Sequence, residues 1–254
     1  MGSFLCCQAR RLHLRTSQKT SKSLGNRSVC MKCKYQLKWH DNMPIVSWLW
    51  LGGKCRKCGS KIGMAELVSE IGMGCAFGLL GTTIDVGLAS PLEWAIFGVT
   101  LLLAMILGEL AIYDGLYGEL PGVCLTFAVI CAIMVLILKE WSLLLVDPFS
   151  VAENIWKPVG AVAILGGLYL VLYLVSKGKW VGDGDWILGT AMGLTLMSPW
   201  LALVMLCITN VLACVITLPS LKKNRDKRIH LGPFMVAAWI ITVALAGVLN
   251  SIVM

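Results

Sequence analysis

From Glu66 onward the sequence is a succession of long apolar runs separated by short segments, and this feature constrains the fold most. A helix needs ~20 apolar residues to cross ~30 Å of hydrocarbon, where every backbone group must be bonded internally. The runs lie near 66–88, 94–113, 122–143, 156–176, 186–198, 200–219 and 232–253. They predict about seven transmembrane helices. The short, glycine-containing run at 186–198 is expected either to begin earlier or to cross with the help of neighbouring helices.

The composition agrees with a bilayer environment. Of the 254 residues, 57% are hydrophobic and 14% are charged, whereas a soluble domain carries about 25% charged residues. The net charge of +8 is unevenly spread, because 13 of the 22 Lys and Arg precede residue 66 and 5 more lie in 222–228. Membrane proteins gather basic residues in this way on the cytoplasmic side, where they meet anionic lipid. We therefore expect lipid, and no nucleic acid, as the partner of these charges.

The basic residues also predict the orientation of the chain. With residues 1–65 in the cytoplasm and seven crossings, the acidic loop at 147–154 lies outside. Three later loops lie on the cytoplasmic side, those around 114–121, 177–185 and 220–231. This arrangement agrees with the positive-inside rule. The sequence thus predicts an all-α polytopic membrane protein with two domains, a basic cytoplasmic region at 1–65 and a helical membrane domain at 66–254.

Four cysteines in the N-terminal region have the spacing of a metal site. Cys30 and Cys33 form one C-x2-C pair, and Cys55 and Cys58 form another, 21 residues later. Four thiolates at this spacing suit tetrahedral Zn²⁺, and the flanking basic residues favour the thiolate form. The ion would be structural, since four sulfurs leave no open position for a substrate. The alternative is two structural or redox pairs without metal.

Two aspartates stand at the membrane boundary. Asp114 precedes the segment Gly-Leu-Tyr-Gly-Glu-Leu-Pro, and Asp185 ends a Gly-Asp-Gly-Asp segment. The predicted topology places both at the cytoplasmic ends of helices, where they can meet. Two close carboxyl groups share one proton, so one can activate water while the other polarises a scissile carbonyl. The alternative is that they are interfacial carboxylates that cap helices or pair with Lys177 or Lys179.

The residues around Asp185 suggest further roles. Gly182 and Gly184 would let the backbone come close to a substrate strand, because glycine has no side chain. Asp183 is a rival for the catalytic role within the same loop. It is otherwise a solvated neighbour, or a group that modifies the pKa of Asp185.

Taken together, these residues resemble the type IV prepilin peptidase family. The similarity spans nearly the whole chain, in the family's order. The matching segments are Gly2-Ser3-Phe4-Leu5, the two cysteine pairs, the connector from Trp39 to Leu49, Asp114 with Leu120-Pro121, Gly182-Asp183-Gly184-Asp185, and Leu231-Gly232-Pro233-Phe234. One departure is Ile187, which stands where the family commonly has a lysine.

The resemblance implies an eight-helix aspartyl endopeptidase of the bacterial inner membrane. It would clip the short basic leader from prepilins and pseudopilins at the cytoplasmic face, with Asp114 and Asp185 as the catalytic pair. Many members also methylate the new N-terminus with S-adenosylmethionine, although no residue here marks a pocket for that cofactor. The sequence begins at a motif near the end of the family's first helix, so we expect that helix to be truncated or encoded upstream.

Two other functions remain open from the sequence. Presenilin-like or preflagellin-peptidase enzymes would also use a Tyr-Asp and a Gly-x-Gly-Asp segment, but they generally lack the four cysteines. A non-catalytic membrane protein is the other alternative, either a transporter or an assembly factor of pili or secretion whose zinc domain binds a partner. A transporter favours acidic residues near the bilayer midplane, whereas these aspartates lie at one face. The sequence leaves the oligomeric state undetermined.

Overall fold

The structure is a computed structural model. It describes residues 5–6, 8–9, 12, 30, 32–33, 35–38, 41, 46–61, 64–84, 90–146, 156–178, 181–221 and 230–251. Several features that the sequence singled out lie outside these residues, namely positions 2–4, parts of the connector at 39–40 and 42–45, the loop 147–155, Lys179 and the basic run within 222–229.

The described residues form helices in the following order. These are α1 (Val46–Trp50), α2 (Met64–Gly81), α3 (Pro91–Tyr117), α4 (Gly122–Val146), α5 (Trp156–Ser176), α6 (Asp185–Leu196), α7 (Pro199–Leu221) and α8 (Gly232–Ser251). Helix α5 contains a π-helical segment, Ala163–Gly167. Six of the described helices, α2 to α5, α7 and α8, are long and apolar enough to span a membrane. They confirm the predicted all-α, multi-pass membrane fold.

The apolar run predicted at 186–198 is the exception among the spans. Its helix α6 begins at Asp185, only one residue before the predicted run, and its 12 residues make it only roughly 18 Å long. That length is too short to cross ~30 Å of hydrocarbon. Helix α6 instead contacts α4, α5, α7 and α8, and most of its residues are buried. Protein, rather than lipid, therefore surrounds its ends.

Local signals in the sequence fix the ends of α3, the helix that carries Asp114. At its start, the Ser90 hydroxyl accepts the Glu93 N–H at 3.2 Å, and the Glu93 carboxylate accepts the Ser90 N–H at 2.6 Å. This reciprocal capping box satisfies two backbone donors, and Pro91 suits the first helical position. At its end, Gly118 adopts the left-handed conformation with φ 71°.

The chain divides into two compact units, Met1–Cys75 and Ala76–Met254. The domain boundary predicted after residue 65 stays a prediction. The first unit contains the four cysteines. The second contains both aspartates.

Candidate active site and candidate metal centre

Asp114 lies in the last turn of α3, where the start of α8 holds its carboxylate. Its side-chain oxygen Oδ2 accepts the backbone N–H of Gly232 at 3.0 Å. Its other oxygen, Oδ1, lies 3.7 Å from Nδ1 of His230. Only 6% of Asp114 is exposed. The carboxylate is therefore buried, but bonded and oriented by a segment more than a hundred residues away in sequence.

Gly232 allows this approach because it has no side chain. A Cβ at this position would lie 2.8 Å from Oδ2 of Asp114 and 3.3 Å from its Cβ. Gly118 is under a similar constraint, since its Cβ would lie 2.7 Å from Cε1 of His230. The late Gly-Pro-Phe motif thus has a structural explanation, which is contact with the first aspartate.

Asp185 is the first residue of α6, and a tight turn holds its carboxylate. Its Oδ2 accepts the backbone N–H of Gly182 at 2.9 Å. Asp185 is also buried, with 7% of it exposed. This bond stabilises the turn whether or not Asp185 has a chemical role. Neither aspartate forms an ion pair with a lysine in the part of the chain that the structure describes.

The loops that follow Asp114 and precede Asp185 pack against each other. A Cβ on Gly184 would lie 2.7 Å from the Cβ of Leu120 and 3.1 Å from Cδ1 of Leu125, so this position requires glycine. Gly184 thus packs against Leu120, the leucine of the Leu-Pro motif. The two aspartates are close enough for the charge of Asp114 to act on Asp185.

An open cleft of about 380 Å³ lies between these two loops. Its lining residues are Gly118, Glu119, Leu120, Gly182, Asp183 and Gly184. Asp183 and Glu119 are exposed, whereas the two buried aspartates are not among the lining residues: Asp185 directly follows Gly184, and Asp114 lies four residues before Gly118. A cleft of this size, flanked by buried carboxyl groups that act on each other, can bind an extended chain next to an acid–base pair.

The four predicted cysteines come together in the first unit. Their Sγ atoms all lie within 4.8 Å of one another, with Cys30–Cys58 and Cys33–Cys55 each at 3.9 Å. Disulfide sulfurs would be about 2.05 Å apart. Four sulfurs at about 2.3 Å from one Zn²⁺ in a tetrahedron are about 3.8 Å apart. The observed separations therefore fit a tetrahedral metal and exclude disulfides between these residues.

Backbone turns build this cluster. The N–H of Cys55 donates to the Ser60 carbonyl at 2.8 Å, and the N–H of Gly59 donates to the Cys55 carbonyl at 2.9 Å. Gly59, directly after the second pair, has φ 64°, a left-handed conformation that glycine adopts readily. On the first pair, the N–H of Cys30 donates to the Tyr35 carbonyl at 2.8 Å.

The pKa values of the thiols also favour a bound cation. The backbone N–H of Cys33, with smaller help from Lys32 and Ser60, lowers the pKa of Cys30 to about 6. The hydroxyl of Ser60 lowers the pKa of Cys58. The pKa of Cys33 rises to about 11 because burial and the neighbouring thiolates outweigh the bond from the Tyr35 backbone. The cluster thus resists carrying four negative charges by itself, and a divalent cation would remove that cost.

Two functional contacts were not predicted from the sequence. His230 faces Asp114, and Arg56 Nε donates to Asp41 Oδ1 at 2.9 Å, which joins the connector to the second cysteine pair. Both pairs are distant in sequence, so local spacing gives no sign of them. The position of His230 two residues before Gly232 is the one available signal, because Gly232 belongs to a motif.

The fold and the site define a multi-pass helical membrane protein with a buried pair of aspartates and a four-cysteine cluster. Residues 1–84 match the Bacterial Peptidase A24 N-terminal domain. Proteins named prepilin leader peptidase/N-methyltransferase are also similar, and no solved structure matches. The chain is thus similar to members of the prepilin peptidase family.

Three of these relatives illustrate the extent of the similarity. The relative from Vibrio cholerae is 45% identical over 47 residues, which cover 18% of this chain and 19% of the relative. That of Dickeya chrysanthemi is 32% identical over 171 residues, or 65% and 54% of the two chains. That of Klebsiella pneumoniae is 29% identical over 193 residues, or 76% and 78%. The similarity thus spans about half the length, or less, of the first two relatives.

Proposed function

We propose that this chain is a membrane aspartyl endopeptidase that cleaves the leader peptides of prepilins and pseudopilins at the cytoplasmic face of the bacterial inner membrane. The observation that carries this proposal is the pair of buried carboxyl groups, Asp114 and Asp185, behind an open cleft. The names of the relatives supply the substrate class. The clustering of basic residues before residue 66 supplies the cytoplasmic orientation.

In this proposal the two carboxyl groups share one proton. The ionised aspartate takes a proton from water, the water oxygen attacks the scissile carbonyl carbon, and the protonated aspartate donates its proton to the carbonyl oxygen. The tetrahedral intermediate then collapses: the aspartate that took the water proton gives it to the leaving nitrogen, the C–N bond breaks, and a hydroxyl of the intermediate returns its proton to the other aspartate. The products are the free leader and the mature N-terminus. The pair ends the cycle with one proton, as it began.

The other residues would act as supports. Gly182 holds Asp185 through its N–H, and Gly184 keeps the second loop against the first. Asp183 lines the cleft, where a substrate chain would pass. Cys30, Cys33, Cys55 and Cys58 would hold a structural zinc ion, which would stabilise the first unit without entering the reaction.

A second activity, methylation of the new N-terminal amine, is favoured by the relatives' full names. S-adenosylmethionine would supply the methyl group. No cluster among the described residues marks a pocket for it, so no residue is assigned to this step. Mass spectrometry of the mature substrate tests the activity, since a methylated N-terminus is one methyl group heavier.

Leader cleavage of a co-expressed prepilin tests the proposal. Membranes would contain the wild type, Asp114→Asn, Asp185→Asn or the control Glu93→Gln, which keeps the capping box at the far end of α3. We expect cleavage by the wild type and the control, and none by either asparagine variant at equal accumulation. Unchanged cleavage by an asparagine variant would refute the aspartyl mechanism. Failure of the wild type would favour a transporter or an assembly factor.

A further inference from the structure

Helices α5 and α6 cross next to the aspartate site. Their backbones are unusually close, because a Cβ on Gly193 would lie 3.0 Å from Val162 Cα and one on Gly189 would lie 3.0 Å from the Leu165 carbonyl oxygen. Moving four residues toward the start of α6, from Gly193 to Gly189, thus changes the contact from Val162 to Leu165, three residues toward the end of α5. The two helices are antiparallel. The next step of this register brings Tyr169 of α5 level with Asp185 of α6.

The contacts of Tyr169 agree with this register. Its Cδ2 lies 3.2 Å from the position of a Cβ on Gly189. Gly189 follows Asp185 by four residues, so the two share one face of α6. Tyr169 is 3% exposed, and Asp185 is close enough to act electrostatically on its hydroxyl.

The hydroxyl of Tyr169 is buried, and it makes no hydrogen bond with any residue that the structure describes. A buried polar group without a partner is destabilising, so native proteins retain few of them. Asp185 has unused capacity, since its recorded hydrogen bond is to Oδ2 and a carboxylate can accept several. The Asp185 carboxylate, an acceptor, and the Tyr169 hydroxyl, an unpaired donor, therefore lie on adjacent helices at the same level.

The backbone of α5 is adapted to this position. The π-helical segment Ala163–Gly167 ends two residues before Tyr169, and π segments occur frequently at functional sites because they re-aim the residues that follow. Gly166 has no room for a side chain, since a Cβ there would lie 3.2 Å from the Thr190 backbone. The π-helical segment thus lies where α5 closely crosses α6, and it changes the direction of the next turn of α5, which contains Tyr169.

We infer that Tyr169 is a positioning residue of the aspartate pair, whose hydroxyl donates a hydrogen bond to the Asp185 carboxylate in the substrate-bound enzyme and keeps Asp185 as the ionised member. The inference rests on the proposed function. A donor to a carboxylate stabilises its ionised form. Burial opposes the charge of Asp185, as do Asp114 and Asp183 from the two neighbouring loops, whereas the Gly182 N–H favours it and His230 faces Asp114. A further donor to Asp185 would therefore favour Asp185 over Asp114 as the ionised group.

The test compares Tyr169→Phe with Tyr173→Phe in the purified full-length chain. Both substitutions remove only a hydroxyl, and Tyr173 lies one turn further along α5, with its ring beside Gly178. For Tyr169→Phe we expect kcat to fall about ten- to hundred-fold with KM unchanged. The lower limb of the pH profile of kcat should move to higher pH, because the ionised form loses its donor. Tyr173→Phe should match the wild type.

Each alternative result is decisive. A wild-type kcat and pH profile for Tyr169→Phe would overturn the inference. A second result would also overturn it: a lowered unfolding temperature together with an unchanged pH profile of the activity per folded molecule. That is the behaviour of a packing residue. Asp185→Asn is measured alongside to separate the two claims. If it cleaves like the wild type, or if the wild type itself does not cleave, the proposed function fails and this inference fails with it.

Discussion

The environment of Asp114 depends on the absence of a side chain at Gly232. The N–H of this glycine holds Oδ2 of Asp114, and a Cβ would come within 2.8 Å of the same oxygen. Any other residue must displace either the carboxylate or the start of α8. The position of one backbone atom thus controls the geometry of an acidic group from a distant part of the chain.

We therefore predict that Gly232→Ala lowers kcat for leader cleavage by about 100-fold, because small displacements of reacting groups have effects of this size. The matched control is Gly247→Ala in the same helix, where a Cβ meets no atom within 4 Å. Initial rates of prepilin cleavage, corrected for the amount of folded protein, measure both. Equal rates for the two variants would show that the contact with Asp114 has no importance.

At the scale of single elements, the short helix α6 has the least usual environment. It ends at Leu196, inside the bundle, where its last carbonyl groups lack helical partners. The Lys139 ammonium group donates to the Thr195 carbonyl at 2.9 Å, and Trp239 Nε1 donates to the Thr195 hydroxyl at 2.8 Å. A cation at a helix C-terminus also interacts favourably with the helix dipole.

Replacing Lys139 with methionine should destabilise the bundle, because it leaves the Thr195 carbonyl without a charged donor. We expect the free energy of unfolding to fall by about 1–2 kcal/mol. The control is Lys157→Met, which removes an exposed lysine near the start of α5. Thermal unfolding in detergent provides the measurement. If both variants unfold at the same temperature, the bond to α6 does not stabilise the protein.

The cysteine cluster is the other element with a separate test. The purified chain should hold about one zinc ion, and Cys33→Ser should lose most of it, because three thiolates bind the ion less tightly than four. Cys214→Ser removes an exposed cysteine of α7 and should leave the metal content unchanged. Elemental analysis after purification under reducing conditions gives the ratio. A wild-type metal content in Cys33→Ser would exclude these residues as the ligands.

At the scale of the whole molecule, hydropathy predicted the helices well. Burial in lipid requires long apolar runs, so the membrane spans can be predicted from local stretches of the sequence. The length of α6 was harder to predict, because protein contacts replace lipid around it. A turn before Asp185 and the left-handed residue Met197, followed by Pro199, bound this helix. The spacing of the cysteines likewise predicted their cluster, since both pairs lie in short turns.

The contacts of the site could be predicted only in part. The predicted topology puts the two aspartates at the same level, but it did not reveal that Gly184 packs on Leu120 or that Gly232 holds Asp114. Tyr169 gave no sign in the sequence, because nothing in the apolar run of α5 distinguishes it from Tyr173 one turn later. Such contacts depend on which helices are neighbours and on their register, and neither is encoded in a local pattern.

The measurement that tests the central claim most directly is the cleavage rate of Asp114→Asn, Asp185→Asn and the variant with both substitutions. If the two carboxyl groups work as one unit, each single substitution removes nearly all activity, by about 1,000-fold or more, and the double variant is no slower. Equal accumulation and unfolding temperature establish that the fold is intact. A single variant that keeps a substantial fraction of the wild-type rate, or losses that multiply in the double variant, would contradict a shared aspartate pair.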